Sequence, residues 1–413
     1  MTEKRSIPIM KPYFDDSEAQ AVAEVLASGW VAQGPRVAEF EKAVAAYEGS
    51  RFGIATTSCT TALHLALVGM GFGTGDDVLV PSYTFVATPN SVEYTGATAI
   101  LVEVRTDTYT IDTDWLEDFI PQQYQQQGDN WINRDSGNRL RGIIPVHLFG
   151  LCADMEAVNR IARQYKLLVL EDSACALGAM IGDTHEGSFG NPSALSFHPR
   201  KSITTGEGGM VLTNDEQLAN QLRKLRSHAA SLSEVQRHQN RGYLLPDYDE
   251  LGFNYRMTDI QAAVGVAQMK KLDFIRDERR RIAAIYDREI PKYAPYLTIP
   301  LEPDGYTHIY QTYASMVNPE RLGFSTIEEA HDFRNELMEY LDDAGIATRQ
   351  GTHTTHILGY YRKLRKLQPY DLPGSYACDR LSLALPLYVG LSESDQFYVL
   401  EHLRNFSREK GIN

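Results

Sequence analysis

The chain has 413 residues, of which 43% are hydrophobic and 23% are charged, and its formal net charge is -14. This length is sufficient for two domains, and the acidity argues against a nucleic-acid-binding surface as a global property of the protein. No apolar run approaches the roughly 20 residues that a membrane-spanning helix needs. The first five residues lead into a polar helix and not into the apolar core of a signal peptide.

The cysteines are too dispersed to form a metal or disulfide framework. Cys59, Cys152, Cys175 and Cys378 lie far apart and contain no CxxC pair. This spacing argues against a zinc ribbon and favours a reducing compartment. We therefore expect a cytoplasmic protein without a metal site.

Hydrophobic periodicity predicts helices and short strands that alternate along most of the chain. In chain order we expect a helix at residues 17–27, a loop at 28–35, a helix at 37–47, a strand at 52–55, a helix at 60–70, a strand at 77–81, a helix at 87–94, strands at 99–103 and 142–148, a helix at 155–165 and a strand at 167–170. Beyond these, the pattern predicts a strand at 210–212, one helix from 258 to about 289, a strand at 310–317 and helices at 327–344 and 392–404.

This alternation indicates the fold class. Nearly continuous apolar strands separated by helices are typical of a mainly parallel sheet that is covered on both faces. We expect a three-layer α/β domain over residues 1–265 and a smaller α/β domain over residues 266–413, with the long helix passing between them. The Gln/Asn-rich stretch at 122–139 has no usable periodicity, so we interpret it as a surface insertion without a chemical role.

Lys201 lies in an unusual place for a lysine. The run from Ser196 to Met210 predicts a short strand, the lysine, a glycine-rich turn and a second strand. A desolvated lysine can lose its proton and attack a carbonyl carbon, as Schiff-base lysines do. A solvated lysine on a surface turn is the alternative that this stretch leaves open.

Two carboxylates end a predicted buried strand at Glu171 and Asp172. Ligands bind beyond the carboxyl ends of parallel strands. An aspartate there can keep a pyridine nitrogen protonated, which is what makes pyridoxal phosphate an electron sink. Asp172 as the cap of a following helix is the alternative.

Small polar residues and aromatics precede two further helices. The run from Thr56 to Thr61 stands before an apolar helix, and free backbone N–H groups at a helix N-terminus form an anion site. Ordinary N-capping needs only one such hydroxyl. Phe85 follows another strand, where its ring could lie on a cofactor or belong to the core.

At this point the chain resembles the DegT/DnrJ/EryC1/StrS family, which comprises pyridoxal-phosphate-dependent nucleotide-sugar aminotransferases of the aspartate-aminotransferase fold, fold type I. The resemblance covers almost the whole chain. It rests on residues 28–35 (SGWVAQGP), 62–67 (ALHLAL), 145–150 (PVHLFG), 171–174 (EDSA), 196–210 and 252–257 (GFNYRM). The last two of these motifs are the most specific.

The resemblance implies roles for individual residues. Lys201 would form the Schiff base with the cofactor and shuttle the proton, and Asp172 would face the pyridine nitrogen. Phe85 would stack on the ring. Asn254 would reach the cofactor phosphate of the neighbouring subunit in a homodimer. The phosphate in each subunit would be bound by Ser58, Cys59, Thr60 and Ser196.

Three positions depart from the family pattern. Cys59 stands where glycine is common, and we expect phosphate binding to survive this change. Cys175 stands where a glutamine or histidine often approaches the ring oxygen, which puts that contact in doubt because a thiol is a weak donor. Ala229 follows His228 where His-Gly is usual, which puts His228 in doubt as a substrate contact. Lys201 itself is intact, whereas the deoxygenating branch of the family has histidine there.

Candidates for the substrate side are Trp30, His228, Arg241, Arg256, Arg349, His353 and His356. Arg241 and Arg256 could supply local positive charge for a diphosphate. The stretch with Arg349, His353 and His356 resembles one that approaches substrate, and an ordinary polar loop is the alternative.

Together these features predict an aminotransferase that converts a nucleotide-linked keto-sugar to an amino sugar, with L-glutamate as the donor. The opening at residues 28–35 resembles that of the family branch that acts on the C4 ketone of a 4-keto-6-deoxy sugar, and this resemblance implies a substrate of that kind. A C3 aminotransferase, another sugar-modifying pyridoxal-phosphate enzyme such as a dehydratase, and a non-catalytic regulatory protein on the same fold are the alternatives.

Overall fold

The fold was analysed in a computed structural model, which describes residues 5–230 and 247–412. The strands of this part of the chain are β1 (Phe52–Thr56), β2 (Asp76–Pro81), β3 (Thr98–Val102), β4 (Tyr124–Gln127), β5 (Asn130–Asn133), β6 (Arg139–Ile143), β7 (Leu168–Val169), β8 (Glu171–Asp172), β9 (Met180–Ile181), β10 (Thr184–His185), β11 (Ser193–Ser196), β12 (Gly209–Thr213), β13 (Leu297–Thr298), β14 (Tyr306–Thr307), β15 (Tyr313–Val317) and β16 (Ser382–Leu385).

Helices alternate with these strands. They are α1 (Asp16–Ser28), α2 (Pro35–Tyr47), α3 (Cys59–Gly69), α4 (Ala87–Glu93), α5 (Thr113–Gln123), α6 (Met155–Tyr165), α7 (Glu216–Arg226), α8 (Asp259–Met269), α9 (Leu272–Tyr293), α10 (Pro319–Leu322), α11 (Ile327–Asp343), α12 (Gly359–Arg365), α13 (Pro373–Leu381) and α14 (Glu393–Glu409). None of them is long and apolar enough to cross a membrane.

A mainly parallel sheet forms the centre of the large domain. Its strand order is β3-β2-β6-β7 on one side and β8-β11-β12-β1 on the other. The two halves meet where Val146 pairs with Asp172 in parallel. Only β12 among these strands runs antiparallel to its neighbours. The predicted sheet is therefore confirmed, and it brings the carboxyl ends of β2 and β8 to the same edge.

Alternate residues of each strand face opposite helical layers. Ile54 and Val211 pack in one core with α3 and α7. Ala55, Met210 and Leu212, their neighbours in sequence, pack in another core with α2 and α8. This alternation follows from the two-residue period of a strand. The large domain therefore has the three predicted layers.

The polar insertion contains two strands that the sequence analysis missed. β4 and β5 form an antiparallel hairpin, and β5 also pairs with β6 in antiparallel orientation. The side chains of Tyr124 and Asn133 donate hydrogen bonds of 3.0 and 2.8 Å to the buried Asp77 carboxylate. The hairpin thus supplies hydrogen-bond donors to a buried carboxylate. Its exposed glutamines are the reason that the hydrophobic pattern did not predict the strands.

The helix predicted from residue 258 to 289 is two helices. α8 ends at Met269, α9 begins at Leu272, and the backbone turns at Lys270 and Lys271. Gln268 donates to the Tyr13 carbonyl at 2.8 Å, and Lys271 forms ion pairs with Asp15 and Glu18 of α1. These contacts with the N-terminal segment hold the break, which the helical periodicity alone does not reveal.

The second, smaller core lies in the C-terminal part of the chain. An antiparallel sheet of β13, β15 and β16 packs with α9, α11 and α14. Ile7 belongs to this core and forms a bridge with Ile346, so the N-terminal segment crosses to the small domain. Leu272 and Ile275 of α9 contact the large-domain core. The division at residues 265 and 266 remains a proposal.

Candidate active site

The N-terminus of α3 presents backbone donors beside the sheet edge. Ser58 caps the helix by accepting the N–H of Thr61 at 3.2 Å, and the Thr61 hydroxyl in turn accepts the N–H of Ser58 at 3.0 Å. Within the described residues, the N–H groups of Cys59 and Thr60 bond to no protein acceptor. First-turn N–H groups of a helix bind anions such as phosphate.

Gly209 allows this helix to approach the sheet. A Cβ atom at Gly209 would lie 2.3 Å from the Ser58 carbonyl oxygen and 2.5 Å from the Cys59 nitrogen. Gly209 pairs with Thr56 on one side and with Ser196 on the other. The sheet register therefore places Ser196 beside the start of α3, so four of the predicted phosphate residues converge.

Asp172 is buried at the end of β8, with one partner on each carboxylate oxygen. Thr88 donates its hydroxyl to Oδ2 at 2.7 Å, and the N–H of Ala174 donates to Oδ1 at 3.1 Å. Burial raises the pKa of Asp172, and these two hydrogen bonds partly oppose the rise. A turn and not a helix follows Asp172, so it does not cap one. Sequence reasoning missed Thr88, which lies 84 residues away from Asp172.

Phe85 is an exposed aromatic next to this carboxylate. Its side chain is 63% exposed, whereas Tyr83 is fully buried. The Thr88 hydroxyl donates to Asp172 at 2.7 Å and also lies 3.2 Å from the Phe85 carbonyl oxygen, so the backbone of Phe85 lies close to the partner of the aspartate. An exposed aromatic ring on this segment is available to cover a planar ligand.

Lys201 lies in the connection between β11 and β12, as predicted. Its Nζ donates to Cys175 Sγ at 3.0 Å. Burial alone lowers the pKa of Lys201, but Cys175, Cys59 and Asp172 outweigh it, so the pKa is raised. The amine therefore lies close to Cys175, Cys59 and Asp172.

The lysine loop is tied to the small domain. Gln311 donates its side-chain amide to the carbonyl of Arg200 at 2.6 Å. Arg279, which is buried on α9, donates to the Tyr310 carbonyl at 3.0 Å and to the Gln311 carbonyl.

The GFNYRM segment runs past the start of α3. Arg256 pairs with Thr56, and the N–H of Thr57 donates to the Tyr255 carbonyl at 3.1 Å. Asn254 and His228 are both exposed. Asn254 is thus free to face another subunit, and Arg256 lies next to the anion-binding helix end. Arg241 lies outside the described residues.

His228 and Ala229 both have left-handed backbone conformations, with φ of 62° and 58°. A Cβ atom at Gly252 would lie 2.1 Å from the Ala229 nitrogen. The close crossing of these two segments explains why this turn takes the left-handed conformation although Ala229 has a side chain.

The segment from Arg349 to His356 packs against the residues before Phe85. The Thr355 N–H donates to the Ser82 carbonyl at 2.7 Å. His356 is fully buried, with Nδ1 2.8 Å from Ser82 Oγ and Nε2 3.2 Å from the Pro369 carbonyl. This geometry favours a positioning role for His356. Arg349 and His353 are exposed and remain predicted substrate contacts.

The loop that carries Trp30 is held by Asp259. This buried carboxylate accepts the N–H groups of Gly34 at 2.8 Å, Arg36 at 3.1 Å and Val37 at 3.0 Å. The Trp30 indole is 37% exposed and donates to the Gln33 carbonyl at 3.2 Å. Trp30 therefore remains a predicted substrate contact on an ordered loop, and sequence reasoning missed its anchor, Asp259.

These residues fit a phosphorylated pyridine aldehyde. The N–H groups of Cys59 and Thr60, which have no acceptor among the described residues, can bind the phosphate together with Ser196. The buried Asp172 carboxylate can pair with a protonated ring nitrogen, and the Lys201 amine can bond to the aldehyde carbon. Gly209 leaves space that a side chain would fill. The thiol of Cys59 donates to the Ala194 carbonyl at 3.6 Å, and the survival of phosphate binding at this departure remains a prediction.

Comparisons with known proteins agree with this geometry. The DegT/DnrJ/EryC1/StrS aminotransferase family matches residues 12–404. GDP-perosamine synthase of Caulobacter vibrioides is 37% identical over 396 residues, covering 96% of each chain. Spore coat polysaccharide biosynthesis protein SpsC of Bacillus subtilis is 33% identical over 408 residues, covering 98% of each.

Solved structures match the whole fold. DesV of S. venezuelae, solved with a ketimine intermediate, has a TM-score of 0.82 at 28% identity and covers 97% of this chain and 98% of its own. An aminotransferase from Brucella abortus has a TM-score of 0.81 at 30% identity and covers 95% of both chains. The chain belongs to the DegT/DnrJ/EryC1/StrS aminotransferase family and is a sugar aminotransferase that uses pyridoxal 5′-phosphate.

Proposed function

We propose that the protein transfers the amino group of L-glutamate to the C4 ketone of a nucleotide-linked 4-keto-6-deoxy sugar. The observation that carries the proposal is the Lys201 amine, which lies close to the buried Asp172 carboxylate and to Cys59 at the N-terminus of α3. The 37% identical relative, whose name gives a GDP-linked product, supports a nucleotide sugar as the acceptor.

The chain's own residues have distinct tasks in this reaction. Bound pyridoxal phosphate supplies a ring that delocalises the negative charge left by deprotonation of carbon. The N–H groups of Cys59 and Thr60 hold the phosphate and thereby orient the ring. Asp172 keeps the ring nitrogen protonated, and Thr88 keeps Asp172 ionised by donating to it. Phe85 covers the ring face.

Lys201 is the proton carrier. With the cofactor bound, its amine would accept the proton from the α-carbon of the donor and release it again, and it would carry the proton in the opposite direction when the sugar reacts.

We further propose a homodimer with shared sites, located in the cytoplasm. Asn254 is exposed at the end of the segment that passes α3, and it would contact the cofactor phosphate of the neighbouring subunit. Four free thiols in one chain suit a reducing compartment.

A panel of nucleotide keto-sugars tests the substrate proposal. Purified enzyme is incubated with L-glutamate and 4-keto-6-deoxy or 3-keto sugars linked to GDP, UDP or dTDP, and products are identified by mass. We expect amination of a 4-keto-6-deoxy sugar and none with Lys201→Ala. Preferential amination of a 3-keto sugar, or loss of oxygen without gain of nitrogen, would contradict the proposed reaction.

A further inference from the structure

Lys201 and Cys175 form a contact that the aminotransferase reaction does not require. Lys201 Nζ lies 3.0 Å from Cys175 Sγ, and in the described part of the chain the amine has no other hydrogen-bond acceptor. Cys175 follows Asp172 on the turn after β8, whereas Lys201 lies between β11 and β12. The sheet therefore brings a nucleophilic amine and a thiol together at their reactive atoms.

The two active-site thiols differ from the other cysteines in access. Cys175 and Cys59 are partly exposed, whereas Cys152 and Cys378 are buried, with 2% and 0% of their surface exposed. A small oxidant such as hydrogen peroxide can therefore reach Cys175. Oxidation of cysteine follows accessibility and thiolate character.

The sulfur of a sulfenic acid is an electrophile that a neighbouring amine can attack. Burial favours the neutral, nucleophilic form of the Lys201 amine, although the polar groups around it raise its pKa overall.

We propose that Cys175 is a site of oxidative modification, and that its product is a covalent bond between Cys175 Sγ and Lys201 Nζ that reversibly blocks the lysine. In the first step hydrogen peroxide oxidises the thiol to a sulfenic acid, and its O–O bond breaks to release one water. Lys201 Nζ then attacks the sulfur, the S–O bond breaks, and the hydroxyl leaves with an amine proton as a second water. The pair loses two hydrogen atoms in total.

The state of Lys201 controls this reaction. A lysine that is bonded to the cofactor has no free amine, so the resting holoenzyme is protected. The amine is free in the cofactor-free chain and when the cofactor carries the donor's amino group. The covalent link between Cys175 and Lys201 thus goes beyond the proposed function, and its formation does not depend on the identity of the sugar.

Peptide mapping by mass spectrometry tests the proposal. The full-length protein is treated with hydrogen peroxide in three forms: cofactor-loaded, cofactor-loaded with L-glutamate, and cofactor-free. We expect a linked peptide pair that joins Lys201 to Cys175 with the loss of two hydrogen atoms. It should appear in the second and third forms, be far weaker in the first, and disappear after treatment with a thiol reductant.

Matched variants identify which cysteine is bonded to Lys201. Cys175→Ser should give no link, whereas Cys59→Ala and Cys152→Ser should retain it. A wild-type protein in which Cys175 is joined to Cys59, or is oxidised further while Lys201 stays unmodified, would overturn the proposal. Because mapping of the cofactor-free wild-type chain needs neither turnover nor a folded variant, failure of the link is distinguishable from failure of the proposed sugar reaction.

Discussion

Asp172 depends on a neighbour that lies far away in sequence. Its carboxylate is buried, burial raises its pKa, and Thr88 donates one of the two hydrogen bonds that oppose this rise. The ring nitrogen of the cofactor needs an ionised partner. A single hydroxyl on α4 therefore affects how well the pocket holds its cofactor.

Replacing that hydroxyl should weaken cofactor binding. In Thr88→Val the carboxylate loses a donor, and hydrogen bonds to charged groups contribute about 1.5–3 kcal/mol. We expect affinity for pyridoxal phosphate to fall on the order of tenfold or more, measured by titration of the visible absorption band. Thr88→Ser keeps the hydroxyl and should bind like the wild type. Equal affinities of the Val and Ser variants would contradict this role.

A buried histidine should make the protein sensitive to acid. Burial lowers the pKa of His308 from 6.5 to about 3, and nearby Arg280 contributes in the same direction. Between these two values the unfolded chain binds a proton that the folded chain does not, so stability falls as the pH falls. From pH 7 to pH 5 this amounts to a loss of about 2 kcal/mol.

The control for this effect is His308→Asn, which is neutral throughout. Its side-chain oxygen can replace the acceptor that His308 Nδ1 offers to the Tyr310 N–H at 2.8 Å. Urea unfolding at the two pH values should show a smaller loss of stability on acidification in the variant than in the wild type. An identical loss in both proteins would show that His308 is not responsible.

At the scale of elements, two helices of the described chain end in a left-handed lysine, Lys166 after α6 and Lys366 after α12. Lys366 ends α12 with φ of 59°, its side chain is exposed, and it forms no ion pair with any described residue. A residue with a Cβ atom pays about 1–2 kcal/mol for this conformation, and glycine does not.

Lys366→Gly should therefore stabilise the protein by about 1 kcal/mol. Lys363→Gly is the matched control, because Lys363 is exposed within the same helix and glycine there costs about 1 kcal/mol. Both changes in the free energy of unfolding are measured by denaturant titration. Destabilisation by both variants would contradict the strain assigned to Lys366.

The sequence predicted the elements with strong periodicity and missed those that depend on distant contacts. The ends of α1, α2 and α6 fall within two residues of the predicted bounds. The hairpin of β4 and β5 was missed because its stability comes from a buried carboxylate at Asp77. The break between α8 and α9 was missed because ion pairs to α1 hold it.

The residues of the candidate site likewise divide into those that the sequence predicted and those that it missed. A lysine beside a glycine-rich turn and an acid at a strand end made Lys201 and Asp172 candidates, and the resemblance to the family selected them over a surface turn and a helix cap. Thr88 and Asp259 were missed because capping and surface roles explain a lone Thr or Asp equally well. Thr88 lies 84 residues before its partner Asp172, and Asp259 lies 225 residues after its partner Gly34.

At the scale of the whole molecule, the proposed dimer predicts complementation between two inactive variants. Lys201→Ala lacks the amine, and Asn254→Asp places a negative charge where the partner's phosphate is proposed to lie. If each site takes Lys201 from one subunit and Asn254 from the other, the mixed dimer contains one intact site. Random mixing should then restore about a quarter of the wild-type activity.

Coexpression with two different affinity tags allows the mixed dimer to be purified and assayed. The doubly substituted chain mixed with the wild type serves as the control for subunit exchange. Absence of activity in a mixed dimer of confirmed composition would show that both residues act within one subunit, and the shared site would be wrong.

The central claim is that Lys201 and Asp172 serve transfer of an amino group from glutamate to a nucleotide-linked sugar. Its most direct test is a mass measurement of the sugar after incubation with glutamate that carries an isotopically labelled amino nitrogen. We predict that the labelled nitrogen replaces the keto oxygen of a 4-keto-6-deoxy sugar in the wild type and not in Lys201→Ala. A wild-type protein that binds pyridoxal phosphate but leaves every keto-sugar without the labelled nitrogen would contradict it.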